Sequence, residues 1–408
     1  MYKTVFIIGA VWVEPNSSAA GSRMLQLIEY FQSQGCKIVF GTTAQKNDQS
    51  LDLEILGVQE VELLLNDSSF DDLLKQIDPD IVLFDRFISE EQFGWRVAEV
   101  QPKALRILDT EDLHCLRKVR AKQYKAGEPF QLADLVSEEI TKREIASILR
   151  CDLSLMISRV EMEILTDFFK IDPSLLCYLP FLLSKAIQKE SSNFEAREHF
   201  ISIGNFLHAP NLESVKTLKT KIWPQIRKEL PQAEMHVYGA YPTQQAREMN
   251  NVKEGFLVKG FVDNQHEVLK KARVLLAPLS FGAGLKGKFV DGMQNGCPSV
   301  TTSIGIEGYA DEENWGGLVA DDWSDFIEQS IRLYSDKSLW KASQSKGFQL
   351  LQQFNKEPFL NHFTEVLTHL FSHIETHRKH NFLGSMLQYH TMKSSKYLSK
   401  WIEEKNKD

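Results

Sequence analysis

Along most of the chain, short apolar runs alternate with longer stretches whose apolar residues return every three or four positions. "TVFIIGA" reads as a buried strand. "SSAAGSRMLQLIEYFQSQG" follows, with Met24, Leu27, Ile28 and Phe31 at helical spacing before Gly35. "KIVFGTT", "DIVLFD", "LRILDT" and "CDLSLMIS" are further predicted strands, with helices over 89–100, over 131–150 and from near Glu161. Uniformly apolar strands between helices belong to parallel βαβ units covered on both faces. After "YLPFLL" the pattern breaks into the polar stretch 184–199, "SKAIQKESSNFEAREH", which is predicted to be a linker. The rhythm then restarts with "FISIGNF", a helix through "VKTLKTKIWPQI", "EMHVYGA", a short helix, "FLVKGFV", a helix over 264–272, "RVLLAPL" and "PSVTTS". Trp223-Pro224 is expected to interrupt its helix and pack the core.

This pattern predicts an α/β protein of two doubly wound domains, 1–183 and 200–355, facing across a cleft between the carboxyl ends of their strands. The remainder, 356–408, is expected to be a helical tail packing back on the first domain. "FTEVLTHLFSHI" places Phe363, Val366, Leu367, Leu370 and Phe371 at helical spacing. The next stretch carries Met386, Leu387, Tyr397, Leu398 and Trp401 among lysines, which suits packing on that domain or docking on an anionic membrane. Packing is favoured, because the stripe is irregular for an interfacial helix.

Charge and composition narrow the functions. Lys+Arg 47 against Asp+Glu 55 leaves a net charge of −8, which argues against broad nucleic-acid binding. Cys36, Cys115, Cys151, Cys177 and Cys297 are scattered and never spaced as C-x-x-C. That argues against a disulfide framework or structural zinc site and fits a reducing cytoplasm. The opening apolar run has one lysine before it and no small-residue cleavage site ahead of Glu14 and Pro15, so it reads as a strand rather than a leader. No apolar segment reaches the roughly 20 residues of a bilayer span.

The densest chemistry is "FGAGLKGKFVDGMQNGCP", residues 281–298. Read as a helix from 285, it puts Leu285, Phe289 and Met293 on a core side and Lys288, Asp291 and Asn295 on a polar one. The amides of Gly282, Ala283, Gly284 and Leu285, with the helix dipole behind them, form a candidate anion site. Lys286 and Lys288 supply point charges suited to phosphate, and Asp291 suits a ribose. A plain tight turn with solvent-facing lysines is the alternative. "AAGSRM" would bring Gly21 and a second helix start to the cleft from the other side, with Arg23 adding charge. "RILDTEDLHCLRKVRAKQYK" crowds Asp109, Glu111, Asp112 and His114, which could ligate a metal. Capping of the next helix by Asp109 or Thr110 explains part of that cluster. The run Arg117, Lys118, Arg120, Lys122 and Lys125 reads as a solvated helix face, or as a surface for an acidic acceptor or lipid.

"APLSFGAGLKGKFVDGMQNGCPSVTTSIGIEG" closely resembles the donor-site motif of family 4 (group 1) glycosyltransferases, in the branch where "GAGLKGK" precedes the helix. "FISIGNFLHAPNLESVKTLKTKIWPQIRKELPQAEMHVYGA" and "EIASILRCDLSLMISRVEMEIL" are similar to other parts of that family. The resemblance extends over residues 1–350 and is sharpest at 277–308. It implies the GT-B fold, with two Rossmann-like domains and a C-terminal crossover helix. It also implies a retaining transfer of sugar from a nucleotide-diphosphate donor to a hydroxyl of a glycan, lipid-linked or small-molecule acceptor. No metal or further cofactor is implied. By the same resemblance His114 contacts the transferred sugar, Gly21 nears the donor phosphates, and Asp291 occupies the second acidic position of the family's E-x7-E motif. Ala283 stands where the first glutamate is usual, and Asn205 and His208 stand where an arginine is common. These departures keep two alternatives open, a non-catalytic GT-B subunit supporting another transferase and a nucleotide-sugar epimerase. A cytoplasmic protein, with a peripheral place at the inner membrane face left open, is the implied location.

Overall fold

In the computed structural model, which describes residues 2–184 and 193–406, two parallel sheets are each wrapped by helices. The first sheet holds β1 (Thr4–Gly9), β2 (Lys37–Thr42), β3 (Gln59–Glu62), β4 (Ile81–Asp85), β5 (Leu105–Asp109), β6 (Leu153–Met156) and β7 (Leu176–Tyr178), in the order β3-β2-β1-β4-β5-β6-β7. The second holds β8 (Phe200–Ile203), β9 (Met235–Tyr238), β10 (Phe256–Gly260), β11 (Val274–Ala277), β12 (Ser299–Thr301) and β13 (Gly317–Val319), in the order β10-β9-β8-β11-β12-β13. The fold is GT-B: two Rossmann-like domains whose strand order reverses beside β1 and beside β8. At such reversals the flanking loops splay apart and leave a crevice.

The apolar runs have a direct cause. In β1, Val5 and Ile7 enter one core while Phe6 and Ile8 enter the other, so every position is covered. In β11, Leu275 and Ala277 face one side and Val274 and Leu276 the other. β3, "QEVE", carries no such run, because it is a short, charged edge strand.

The tail closes the first domain. On the helix Lys356–His380, Phe363, Leu367 and Leu370 are buried in the core that contains Val5, Ile7 and Phe31. The Phe371 ring stacks on Tyr2 at 5.2 Å. Arg378 donates to both carboxylate oxygens of Asp152 at 2.7 Å and to the Ala104 carbonyl at 2.7 Å. The helix Phe382–Lys405 then lies along the helices Arg86–Val100 and Glu139–Arg150.

Part of the predicted linker 184–199 lies outside the described residues, at 185–192. Residues 193–199 depart from the expectation: Arg197 is buried and donates to the carbonyls of Leu269 and Ala272 at 3.0 and 2.8 Å, so this end is built into the second domain. Trp223 is 1% exposed and donates to the Glu254 carbonyl at 2.7 Å. A wide turn, Leu218–Ile222, separates the helices Ala209–Thr217 and Trp223–Glu229 just ahead of Pro224, whose ring forbids a regular i−4 ladder.

Candidate functional site

The loop leaving β11 reaches the helix Gly287–Gln294, which begins two residues later than periodicity predicts. Gly284, at φ +61°, makes the turn that delays it. Leu285, Phe289 and Met293 are buried, forming the apolar side. Asn295 leaves the expected polar face: it follows the helix, is buried, and its amide donates to the Asp291 carbonyl at 2.7 Å and lies 2.8 Å from His266 Nδ1.

The glycines let the domains touch. A Cβ on Gly284 would lie 2.8 Å from Asp112 Cβ, and one on Gly287 2.8 Å from Ala19 Cβ. The Gly284 amide donates to Glu161 Oε1 at 2.8 Å, and the Gly282 carbonyl accepts from Arg120 at 2.9 Å. Ala283 packs against the first domain's core. Thus two of the four predicted loop positions have their polar groups engaged by the facing domain. Lys286 and Lys288 are half-buried, donating to the Gly284 carbonyl at 2.9 Å and to Asn211 Oδ1 at 2.8 Å. Burial lowers both ammonium pKa values to about 8; for Lys286, nearby Glu307 opposes the effect.

Across the cleft, Asp112 is buried, forms an ion pair with Arg117, and lies 3.5 Å from His114 Nε2. Burial, reinforced by Arg117 and Arg86, lowers the His114 pKa to about 4, so its imidazole is neutral at pH 7. On the second domain, desolvation of the His208 ring, with Arg117 adding to the effect and Asp112 opposing it, lowers that pKa to about 4 as well. Arg86 and Glu111, just past the ends of β4 and β5, take left-handed backbone (φ +67° and +62°), a strain typical of functional loops. The helix His114–Ala126 has its starting amides filled by the protein. Glu161 Oε1 accepts from Leu113 at 3.0 Å, while Glu144 accepts from His114 at 2.9 Å and from Cys115 at 2.7 Å. Asp109 and Thr110 therefore do not cap it. Asp109 is fully buried against Arg23 at 2.9 Å, and Thr110 donates to the Leu155 carbonyl at 2.9 Å. Among the described residues, no group of three or more His, Cys, Asp or Glu is arranged to hold a metal.

A cavity of about 460 Å³ runs from this contact along the domain boundary, lined by Asn16, Ala19, Phe181, Gln265, Gly287 and Asp291 among others. Burial raises the Asp291 pKa to about 7, with a hydrogen bond from Gln265 opposing the rise. Ala19, not Gly21, reaches the cavity wall. The Gly21 amide donates to the Ser18 hydroxyl at 3.0 Å, and a side chain there would strike the Glu14 carbonyl, so this glycine serves the turn. Arg23 is 1% exposed and holds Asp109 and the Leu179 carbonyl rather than facing the cleft. Asn205 Oδ1 accepts from the Leu207 amide at 2.8 Å, a local turn that occupies the acceptor.

Sequence reading missed several cleft residues. Arg117 and Arg120 belong to a run expected to be solvated, yet Arg117 pairs with Asp112, and Arg120 makes a two-pronged contact with Glu307, 2.7 Å on each prong, across the domains. Glu161 and Glu307 carry no local spacing signal, because their partners are far away in the chain. Arg117 and Arg120 are offset by Asp112 and Glu307, whereas Lys286 and Lys288 have no ion-pair partner among the described residues and are the cations placed to meet an anion where the two domains touch.

Residues 197–336 match the family model of group 1 glycosyl transferases. No curated protein sequence matches the chain. Among solved structures it is similar to sucrose-phosphate synthase from Thermosynechococcus elongatus, at 14% identity and TM-score 0.70, over 91% of this chain and 99% of that one. It is also similar to Anabaena HepE in complex with UDP and glucose, at 12% identity and TM-score 0.65, over 90% and 100%. A third is WaaG, a glycosyltransferase involved in lipopolysaccharide biosynthesis, at 11% identity and TM-score 0.63, over 89% and 99%. All three share the two-domain architecture described above.

Proposed function

We propose that this chain is a retaining glycosyltransferase that takes a nucleotide-diphosphate sugar and passes the sugar to a hydroxyl of a glycan, lipid-linked or small-molecule acceptor. The observation that carries the reading is a coincidence of two facts. The segment matching group 1 glycosyl transferases contains Lys286, Lys288 and Asp291; Asp291 lines a cavity that the first domain closes, and the two lysines flank Gly287, which also lines it. The nucleoside would lie against Gln265 and Asp291, with its ribose hydroxyls donating to the Asp291 carboxylate. The diphosphate would meet the start of the helix Gly287–Gln294, with Lys286 and Lys288 as its cations. His114, neutral at pH 7, is suited to hydrogen-bond a hydroxyl of the transferred sugar. The acceptor oxygen then bonds to the anomeric carbon as the phosphate oxygen leaves from the same face and takes the acceptor's proton. Stabilising that leaving phosphate is the electrostatic core of the rate enhancement.

The protein's own cations supply the charge, so we expect turnover to need no divalent metal and no cofactor besides the donor. Buried, unpaired cysteines accord with a reducing compartment. HepE's complex with UDP and glucose makes UDP-glucose a reasonable first donor to try.

The deciding experiment measures binding and hydrolysis or transfer with a panel of sugar nucleotides, including after exhaustive chelation, and reads the product's anomeric configuration by NMR. Asp291→Asn should weaken donor binding by about 1.5–3 kcal/mol, the loss of a charge-assisted hydrogen bond, without unfolding the protein. Inversion at the anomeric carbon, or unchanged affinity in that variant, would remove this reading. One observation favours a second reading, a binding subunit that supports another transferase: Ala283, packed on the first domain's core, places no carboxylate toward a sugar. Donor binding without any turnover would select it.

A further inference from the structure

The helix Phe382–Lys405 has two unlike faces. Its inner face is accounted for. A side chain at Gly384 would strike the Leu149 carbonyl, Gln388 donates to the Arg150 carbonyl at 2.9 Å, and Arg96 holds Ser399 and Glu403 at 3.4 and 3.1 Å. On the opposite side Phe382, Met386, Tyr389, Lys393, Tyr397 and Trp401 recur every three or four residues, which is one stripe of a helix. These side chains face solvent: Phe382 is 68% exposed, Tyr397 66% and Trp401 61%. Leu383 and Leu398 widen the apolar area. The Lys393 ammonium stands 3.9 Å from the Tyr389 ring centroid, and Lys405 5.3 Å from that of Trp401. Lys400 lies on the same side, Lys379 precedes it, and Glu404 sits at the far end.

A contiguous exposed apolar stripe on a folded protein marks something that covers it. Charge decides what. The chain as a whole carries −8, yet this stripe mixes rings with lysines. Tyrosine and tryptophan settle at headgroup depth, while lysines meet anionic lipid. A second copy of this stripe would bring the same excess of lysines over its one glutamate, Glu404, and so no complementary charge. We propose that the outer face of the helix Phe382–Lys405 is a docking surface for an anionic membrane, lying flat in the headgroup layer while its inner face stays packed on the first domain. The proposal does not depend on the transfer chemistry, because it is read without any sugar nucleotide.

The test is flotation of the full chain with phosphatidylcholine vesicles and with vesicles containing phosphatidylglycerol. The native protein should float only with the anionic ones and be released by high salt. Neutralising lysines in Lys393→Gln with Lys400→Gln should lower the partition coefficient about fivefold for each lysine. Tyr397→Ser with Trp401→Ser should weaken it further at unchanged thermal stability, since both side chains are exposed. A blue shift of fluorescence on vesicle addition should vanish in Trp401→Phe. Equal flotation of native and variant proteins, or binding that ignores lipid charge, would overturn the proposal. So would a dimer, seen by light scattering, that the Tyr397 and Trp401 changes dissociate.

Discussion

Lys286 and Lys288 hold their protons only to about pH 8, because burial disfavours the ammonium form. A bound diphosphate favours that form, so donor binding should take up protons above this pH. Donor affinity is therefore expected to be flat below pH 8 and to fall above it, by up to about tenfold per pH unit for each lysine that must recharge. Titration calorimetry across pH 6.5–9.5 checks this, and a flat profile would detach both lysines from the phosphates. For stability the sign is opposite. Folded-state pKa values below the unfolded ones mean that these lysines oppose folding below pH 8, and that the opposition fades as pH rises toward the unfolded value. Gly284 makes a separate demand, with left-handed backbone and Asp112 against its missing side chain. Gly284→Ala should cost about 1–2 kcal/mol for the backbone alone and should also push the domains apart, seen as a lower melting temperature and a weaker donor complex. At this scale the sequence shows which residue types gather, but not which polar groups are already engaged. Gly21 and Asn205 look available in the sequence, yet the Ser18 cap and the Leu207 turn occupy them.

Among the elements, the returning tail matters most for stability. Asp152 is buried between Arg106 and Arg378, and hydrogen bonds from Arg378 are the main influence holding its carboxyl below the usual range against the cost of burial. Arg378→Ala should destabilise the protein by about 1.5–3 kcal/mol, the loss of charge-assisted hydrogen bonds from a partly exposed guanidinium while Arg106 still faces Asp152, measured by denaturant unfolding. Its depressed carboxyl adds stability above the unfolded pKa that is lost as pH falls through the folded one, so native and variant proteins should converge in acid. Long periodic segments such as "MLQLIEYF" and fully apolar runs such as "VFII" were legible because burial on one face, or on both, writes a period into the sequence. The edge strands β3 and β13 were not, being short and half-covered. The start of the helix Gly287–Gln294 was misplaced for a different reason: a turn made by the dihedral of Gly284 leaves no trace in hydrophobic spacing.

For the molecule as a whole, the two domains are fastened at several points in this conformation. Arg120 grips Glu307, Glu161 joins the Leu113 and Gly284 amides, and the Tyr241 hydroxyl donates to Glu14 at 2.8 Å. Burial, then Asp112, pushes the Glu161 carboxyl up to about 8. Glu307→Gln should loosen the fastening, with a larger radius of gyration by small-angle scattering in the absence of donor and a weaker donor complex. An unchanged radius would show that the remaining contacts suffice. The crossover tail carries a consequence for how the molecule is made. Synthesis delivers β1 well before Phe363, Leu367 and Leu370, yet they share one core. A nascent chain that has released both sheets but not the tail still presents Val5, Ile7 and Phe31 on an uncovered flank. Of the two domains, the one that leaves the ribosome earlier is therefore the one completed later, and in the interval it is a natural client for chaperones.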